Sequence, residues 1–388
     1  MVKAIGLLAV STLLLVGAPV ATPAHAADDP DQRGPAAVVL KGRGFGHGRG
    51  MSQYGAQSAA SDHGKTYRRI LRFYYPGLTI GDASGTISVL ISSDTGDDVV
   101  VKKTASLSVR QVSNGRSWKL GDAAPRATKW KLTAARGNAA TRVSYLTSHW
   151  HSYKVVPGEA EFSGGSKAVT LVDPAGTRRY QGTLRSTTSP EGDRDTVNVV
   201  SLEDYLRGVV PSEMPAQWDP DAVKAQAVAA RTYADYARDH PKSYYDICSS
   251  TLCQVYLGVG NSEPESDAAI RATAHEVLQS DGASAYTEFS SSNGGWTVAG
   301  SQPYLVAKQD TWDPVNTWRY RLPATKIERA YGSIGDFRRL DVLERDGHGT
   351  WNGRVLSIKV VGRRGSVTVT GDDFRYDLSL RSTWFREV

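Results

Sequence analysis

Ser201-Leu202-Glu203-Asp204-Tyr205-Leu206-Arg207-Gly208-Val209-Val210-Pro211-Ser212-Glu213-Met214-Pro215, followed after Asp219-Pro220 by Lys224-Ala225-Gln226-Ala227-Val228-Ala229-Ala230-Arg231-Thr232-Tyr233, is the stretch that decides the fold. Ser201 and Asp204 make a capping-box pattern ahead of the apolar positions Leu202, Tyr205, Leu206 and Val209. Gly208 and Pro211 predict where that helix ends. Asp219 then caps a second helix with Pro220 at its first position. Val223, Ala227, Ala230, Ala234 and Ala237 recur at alternating spacings of four and three, which predicts a narrow small-residue stripe for close packing. Lys224 and Arg231 fall on another face.

Within this stretch Glu213 stands between Pro211 and Pro215, which fix φ on either side of it. A carboxyl held there beside Val210 and Met214 is partly desolvated, and desolvation disfavours the anion. A raised pKa suits a general acid near neutral pH. The competing reading is a surface glutamate in a helix–helix turn.

Working outward, residues 85–200 carry short β-type runs (Ile87 to Ile91, Asp98 to Val101, Leu107 to Val112, Ala168 to Val172, Thr196 to Val200) separated by Gly, Asn and Asp, which predicts a β-rich unit. Before it, glycines occupy every second position from Gly42 to Gly50. An extended chain would place them on one face and Arg43, Phe45, His47, Arg49 and Met51 on the other. No Gly-Lys-Ser/Thr follows, so nucleotide cradling is unsupported. Residues 52–75 predict two helices stopped by Pro76-Gly77. Asp267 to Gln279 reads as a helix, Ala285 to Phe289 as a strand, and the tail from Val355 as strands through Phe374 and beyond.

At 388 residues the chain is long enough for two or three compact units, at ~150 residues per domain. Lys3 followed by the apolar run Ile5 to Val20 and by Ala24-His25-Ala26 reads as a cleaved secretory signal over residues 1–26. Residues 27–37 read as a linker. No other segment is suited to cross a bilayer. Net charge is +6 without a dense Lys/Arg run, which argues against nucleic-acid binding and is compatible with an anionic cell wall. The two cysteines, Cys248 and Cys253, read as a local disulfide in an exported protein. Zinc is the alternative, not favoured because two more ligands are needed and His240 is the only nearby histidine.

The motifs quoted at the outset closely resemble the core of the stage II sporulation protein D (SpoIID/LytB) family. Cys253-Gln254-Val255-Tyr256, Ser291-Ser292-Asn293-Gly294-Gly295, Gly44-Phe45-Gly46-His47-Gly48, Met51-Ser52-Gln53-Tyr54-Gly55-Ala56 and Arg72-Phe73-Tyr74-Tyr75-Pro76-Gly77 are similar to further motifs of that family. The resemblance implies an α+β fold with a helical catalytic unit, and a lytic transglycosylase that cuts peptidoglycan glycan strands, in sporulation members after stem peptides have been removed. It implies Glu213 as acid/base. Within these motifs the candidate substrate-binding set is His47, Ser52, Gln53, Lys224, Gln226, Arg231, Tyr233, Gln254, Tyr256, Ser291, Ser292, Gly294 and Gly295; Arg231 reads equally as a helix-packing ion-pair residue and His47 as a loop histidine bonded to a carbonyl. Members often carry histidines where this chain has Leu252 and Ser290 or Phe289, so a zinc centre is not implied here.

LytB-type relatives imply a second possibility, a non-catalytic glycan binder that enhances a cell-wall amidase. A plain hydrolase would need a second carboxylate, for which Glu203, Asp204, Asp219 and Glu288 are available. The expected groove runs between the β-rich subdomain (85–200) and the helical unit (201–260), within a catalytic core spanning 201–388. The glycine-rich segment usually follows the core in this family and here precedes it, within 38–84. This order predicts a circular permutation, in which residues 38–50 pack beside the final strand and His47 lies near Glu213.

Overall fold

The computed structural model describes residues 34–96, 98–174 and 176–388. The expected signal and all but the end of the expected linker, residues 1–33, lie outside them. The architecture is α+β, with helices α1 (Gln53–Ser61), α2 (Tyr67–Tyr74), α3 (Leu202–Glu213), α4 (Pro220–Asp239), α5 (Pro264–Ala272), α6 (Ala324–Ala330) and α7 (Gly371–Asp377).

Residues 85–200 build one six-stranded sheet entirely and supply all but the short strand Ile247–Cys248 of a seven-stranded one. Burial alternates along the strands, as in Val169–Asp173, because successive side chains point to opposite faces. The inward residues Val99, Trp130, Leu132 and Leu171 of one sheet share a core with Val109, Phe162 and Leu184 of the other.

The strand Arg194–Ser201 leads directly into α3, where Ser201 Oγ accepts the Asp204 N–H at 3.1 Å, as the sequence predicts. Asp219 caps α4 in the same way, accepting from the Asp221 N–H. The expected narrow stripe on α4 is far too narrow. Ala222, Ala225, Val228 and Ala229 are buried as fully as the stripe residues, because α1, α2, α3, α5 and the strand Glu276–Ser280 surround the helix. The helix expected from Asp267 to Gln279 stops at Ala272, and Glu276–Ser280 is a strand paired with Thr79–Asp82. Phe374, where a last strand is expected to begin, lies instead in α7 (Gly371–Asp377), capped by the Thr370 hydroxyl accepting from the Asp373 N–H.

A second core forms from the two ends of the chain. Val38 and Leu40 are buried with Trp318, Leu322, Ile327, Phe337, Ile358, Phe374 and Phe385. The strand Ala37–Arg43 is the middle one of three, antiparallel to Thr317–Pro323 on one side and to Phe385–Glu387 on the other. Gly42 lies against Trp318 so closely that a Cβ would come within 2.1 Å of the indole. The packing that the permuted order requires is therefore present: the segment 38–43 fills a sheet otherwise built from residues beyond 316.

Candidate active site

Glu213 is the last residue of α3, so the helix runs through Pro211 rather than ending there. Pro211 offers no N–H to the preceding turn. Ser212 Oγ donates to the Gly208 carbonyl at 2.7 Å and Met214 N–H to Val210 at 3.0 Å, which closes the final turn. Pro215 follows. The Glu213 carbonyl accepts from Gln53 Nε2 at 2.9 Å, tying α1 to the end of α3. Its carboxylate accepts the Val255 N–H at 2.7 Å through Oε1. Burial raises the Glu213 pKa above the usual carboxylate value, and the bonds from Val255 and Gln53 only partly offset it.

The carboxyl opens into a cavity of about 450 Å³. One part of its wall comes from Gln53 at the start of α1 and from the helical unit, through Glu213, Tyr233 and the segment Thr251 to Cys253 with Val255. Phe45 to His47 and Arg49 come from the glycine-rich segment, Tyr286 and Glu288 to Ser291 from a loop, and Arg375 and Tyr376 from α7. No lining residue comes from 85–200. The groove expected against the β-rich subdomain is thus displaced. The cavity lies where the helical unit meets the segments from both ends of the chain.

The glycine-rich segment is not an extended strand beyond Arg43. Gly44, Gly46, Gly48 and Gly50 all have positive φ, so their alternation serves repeated left-handed turns and not a bare β face. These turns lay the segment against residues 288–294, with Phe45 and Ser292 exchanging backbone hydrogen bonds at 2.8 and 3.0 Å. His47 Nδ1 accepts the Arg49 N–H at 3.0 Å. Burial, then the charges of Arg49, Arg375 and Arg354, push His47 down to about 3, so it is a neutral imidazole in this cavity. Arg49 in turn binds Glu288 at 2.8 Å.

Other residues expected in the site have different neighbours. Arg231 is fully buried, gripping Glu203 with two nitrogens at 2.7 and 2.8 Å, and is a packing residue between α4 and α3. Gln254 and Tyr256 are also enclosed: Gln254 joins Tyr205 to the Ala230 carbonyl, and Tyr256 donates to Asn198. Ser52 caps α1 and donates to Asp313 at 2.7 Å, as Ser292 does at 2.9 Å, so both hold the loop from the rear. Gly294 and Gly295 form the turn beyond it, with positive φ at each. Gln226 meets Gln53 at 3.4 Å without reaching the cavity. Lys224 lies beside Asp221 and borders a separate hollow with Trp218. His47, Gln53, Glu213, Tyr233 and Ser291 are the expected residues that share the cavity. Sequence reasoning missed Tyr286 and Arg375 altogether.

Cys248 and Cys253 are joined, with S–S 2.07 Å. Both sulfurs are therefore occupied, and this donor pair does not fit zinc. The link closes the segment that borders the cavity and delivers the Val255 N–H to Glu213. A thiol reagent applied to the native protein is expected to label neither cysteine and, after denaturation with reductant, both. Two labelled thiols in the native protein would mean that the link does not form.

Similarity to known proteins bears on this arrangement. Residues 190–279, which contain α3 and α4, match the family model described as Stage II sporulation protein (SpoIID). The "Amidase enhancer" of Bacillus subtilis (strain 168) is 39% identical over 130 residues, 32% of this chain and 17% of that protein. The "Stage II sporulation protein D" of the same organism is 26% identical over 220 residues, 49% of this chain and 61% of the relative, and its counterpart from Bacillus amyloliquefaciens is 29% identical over 218 residues with the same shares. The chain thus spans less than two thirds of the length of each of these relatives. By this match, residues 190–279, the stretch that carries Glu213, are a SpoIID domain.

Proposed function

We propose that the protein acts outside the cytoplasm on peptidoglycan, as a lytic transglycosylase in which Glu213 is the acid and then the base. The observation that carries this reading is a carboxyl of raised pKa, fixed by one backbone N–H, on the wall of a cavity large enough for a sugar unit. The other carboxylate on that wall, Glu288, is engaged by Arg49. A hydrolase needs a second free carboxylate to activate water or attack carbon. A transglycosylase does not. Glu213 gives its proton to the glycosidic oxygen as the C1–O bond breaks. The C6 hydroxyl of the same sugar then bonds to C1 and returns a proton to Glu213, with no water consumed. The attack is intramolecular, so its effective concentration is high. Neutral His47 can hydrogen-bond the sugar without competing for that proton.

The products test the reading. Digestion of glycan strands in ¹⁸O-water is expected to yield 1,6-anhydromuramic ends without label. Labelled reducing ends would assign hydrolysis instead.

The similarity to the protein named "Amidase enhancer" favours a second reading, in which the chain binds glycan or a cell-wall amidase and stimulates the latter. Under that reading Glu213→Gln leaves amidase stimulation intact and no anhydro ends form with either chain. The structure has no helix, among the described residues, long and apolar enough to cross a membrane.

A further inference from the structure

Three guanidinium groups meet around His47, and their charges are unequally balanced. Arg49 pairs with Glu288 at 2.8 Å and comes within 3.9 Å of Asp372. Arg354 is 3% exposed; its guanidinium donates to the Asn293 carbonyl at 2.6 Å and Thr383 Oγ1 at 3.5 Å and lies 5.5 Å from the centre of the Trp384 ring, while its Nε has no partner among the described residues. Asp346, Asp372 and Asp313 act on it only through longer-range attraction. It occupies space that exists because residue 48 is glycine: a Cβ there would lie 2.4 Å from its Nη2. Arg375 lines the cavity itself, and its Nε and Nη1 are shut away from water without a hydrogen-bond partner. Its guanidinium carbon lies 4.7 Å from the centre of the Tyr376 ring.

Buried donors without partners are costly, and buried cations without counter-ions more so. Two such groups beside one cavity leave it with a positive end. With Nε and Nη1 enclosed, Nη2 is the nitrogen that Arg375 offers to the cavity, and a carboxylate accepting from it makes a charge-assisted hydrogen bond. We propose that the end of the cavity bordered by Arg375, with Arg49 beside it, receives a carboxylate carried by the bound glycan, so that the site selects an acidic sugar over a neutral one. This rests on the glycan reading above and names which glycan is taken. Arg375 is the residue that contacts the anion. Arg354, fully enclosed, adds charge from behind the wall. The carboxylate can be the acid substituent of the sugar itself or belong to a peptide attached through it.

Binding, not cleavage, tests the proposal. The full exported chain carrying Glu213→Gln is titrated with three tetrasaccharides of alternating N-acetylglucosamine and N-acetylmuramic acid: the free acid, its carboxamide, and the form carrying a short peptide. The free acid or the peptide form is expected to bind at least ~10-fold more tightly than the carboxamide, a difference of about 1.4 kcal/mol. Whichever of the two binds better identifies the source of the carboxylate. Arg375→Gln in the same chain is expected to abolish that preference, and Arg375→Lys to keep part of it. Equal affinities for all three ligands in the Arg375 chain would overturn the proposal without any variant, and would leave the glycan reading standing. No binding of any ligand would overturn both.

Discussion

Glu213→Gln is expected to lower the formation of anhydro ends by at least ~10²-fold, the usual scale of acid–base assistance, while the fold survives. Glutamine retains a carbonyl oxygen to accept the Val255 N–H, and the backbone bond from Gln53 Nε2 to residue 213 is untouched. What disappears is the titrating proton. Because burial raises the Glu213 pKa, the protonated acid persists to higher pH than an exposed glutamate allows, and activity falls as pH rises through that raised value. His47, neutral above about 3, does not titrate across this limb. The limb is therefore expected to survive in His47→Gln. The same shift bears on stability. In the unfolded chain Glu213 ionises at its ordinary value, whereas in the folded chain it holds its proton longer. Ionisation thus favours the unfolded chain as pH rises past the unfolded value, and that loss is complete above the folded one. Glu213→Gln removes the penalty. The variant is expected to be more resistant to urea at pH 7 than the parent, with the advantage shrinking as pH falls toward ~4, the ordinary glutamate pKa, and absent below it. Near-parental activity in this variant would take Glu213 out of the reaction and favour the amidase-stimulating reading.

The parts of this molecule that were legible in the sequence are those governed by local chemistry. Ser201 and Asp219 act as helix caps because a hydroxyl or carboxylate at the start of a helix meets free N–H groups wherever that helix is placed. Short β-type runs separated by Gly, Asn and Asp likewise marked the strands of 85–200. The misreadings come from long-range packing. Lys224 and Arg231, placed by spacing on one polar face of α4, separate in space: Lys224 borders a surface hollow, and Arg231 is sealed against Glu203 by elements that arrive from residues 264–280. Periodicity along α4 carries no trace of those elements. Arg375 went unnoticed for a related reason. It stands on a seven-residue helix too short to show a period, and it reaches the cavity only because α7 is packed on strands from both ends of the chain. The joining of residues 38–50 to the C-terminal strand could be anticipated from motif order alone.

Gly50→Ala is expected to be among the most damaging single-methyl changes in the protein, and Gly64→Ala among the mildest at a similar backbone angle. Both glycines are left-handed, with φ of +63° and +59°. An L-residue held there costs about 1–2 kcal/mol from its own geometry. At Gly64 nothing lies within 4 Å of the added Cβ, so that strain is the whole effect. At Gly50 the Cβ would fall 1.8 Å from the Glu288 carbonyl oxygen and 3.1 Å from a Tyr75 ring carbon. That oxygen cannot yield cheaply. It accepts the Tyr75 hydroxyl at 2.7 Å and the Met51 N–H at 3.1 Å, both buried. Moving it also moves the Glu288 side chain, hence Arg49, hence the wall beside His47. Urea denaturation is expected to show Gly64→Ala destabilised by no more than ~2 kcal/mol, and Gly50→Ala by more than that, in the range of ~3–5 kcal/mol reached by severe core defects. Glycan binding should fall with the second substitution and not with the first. Equal stability losses at the two positions would show that the close approach of residue 50 to Glu288 is absent, and with it the seam that holds the glycine-rich segment in the cavity wall.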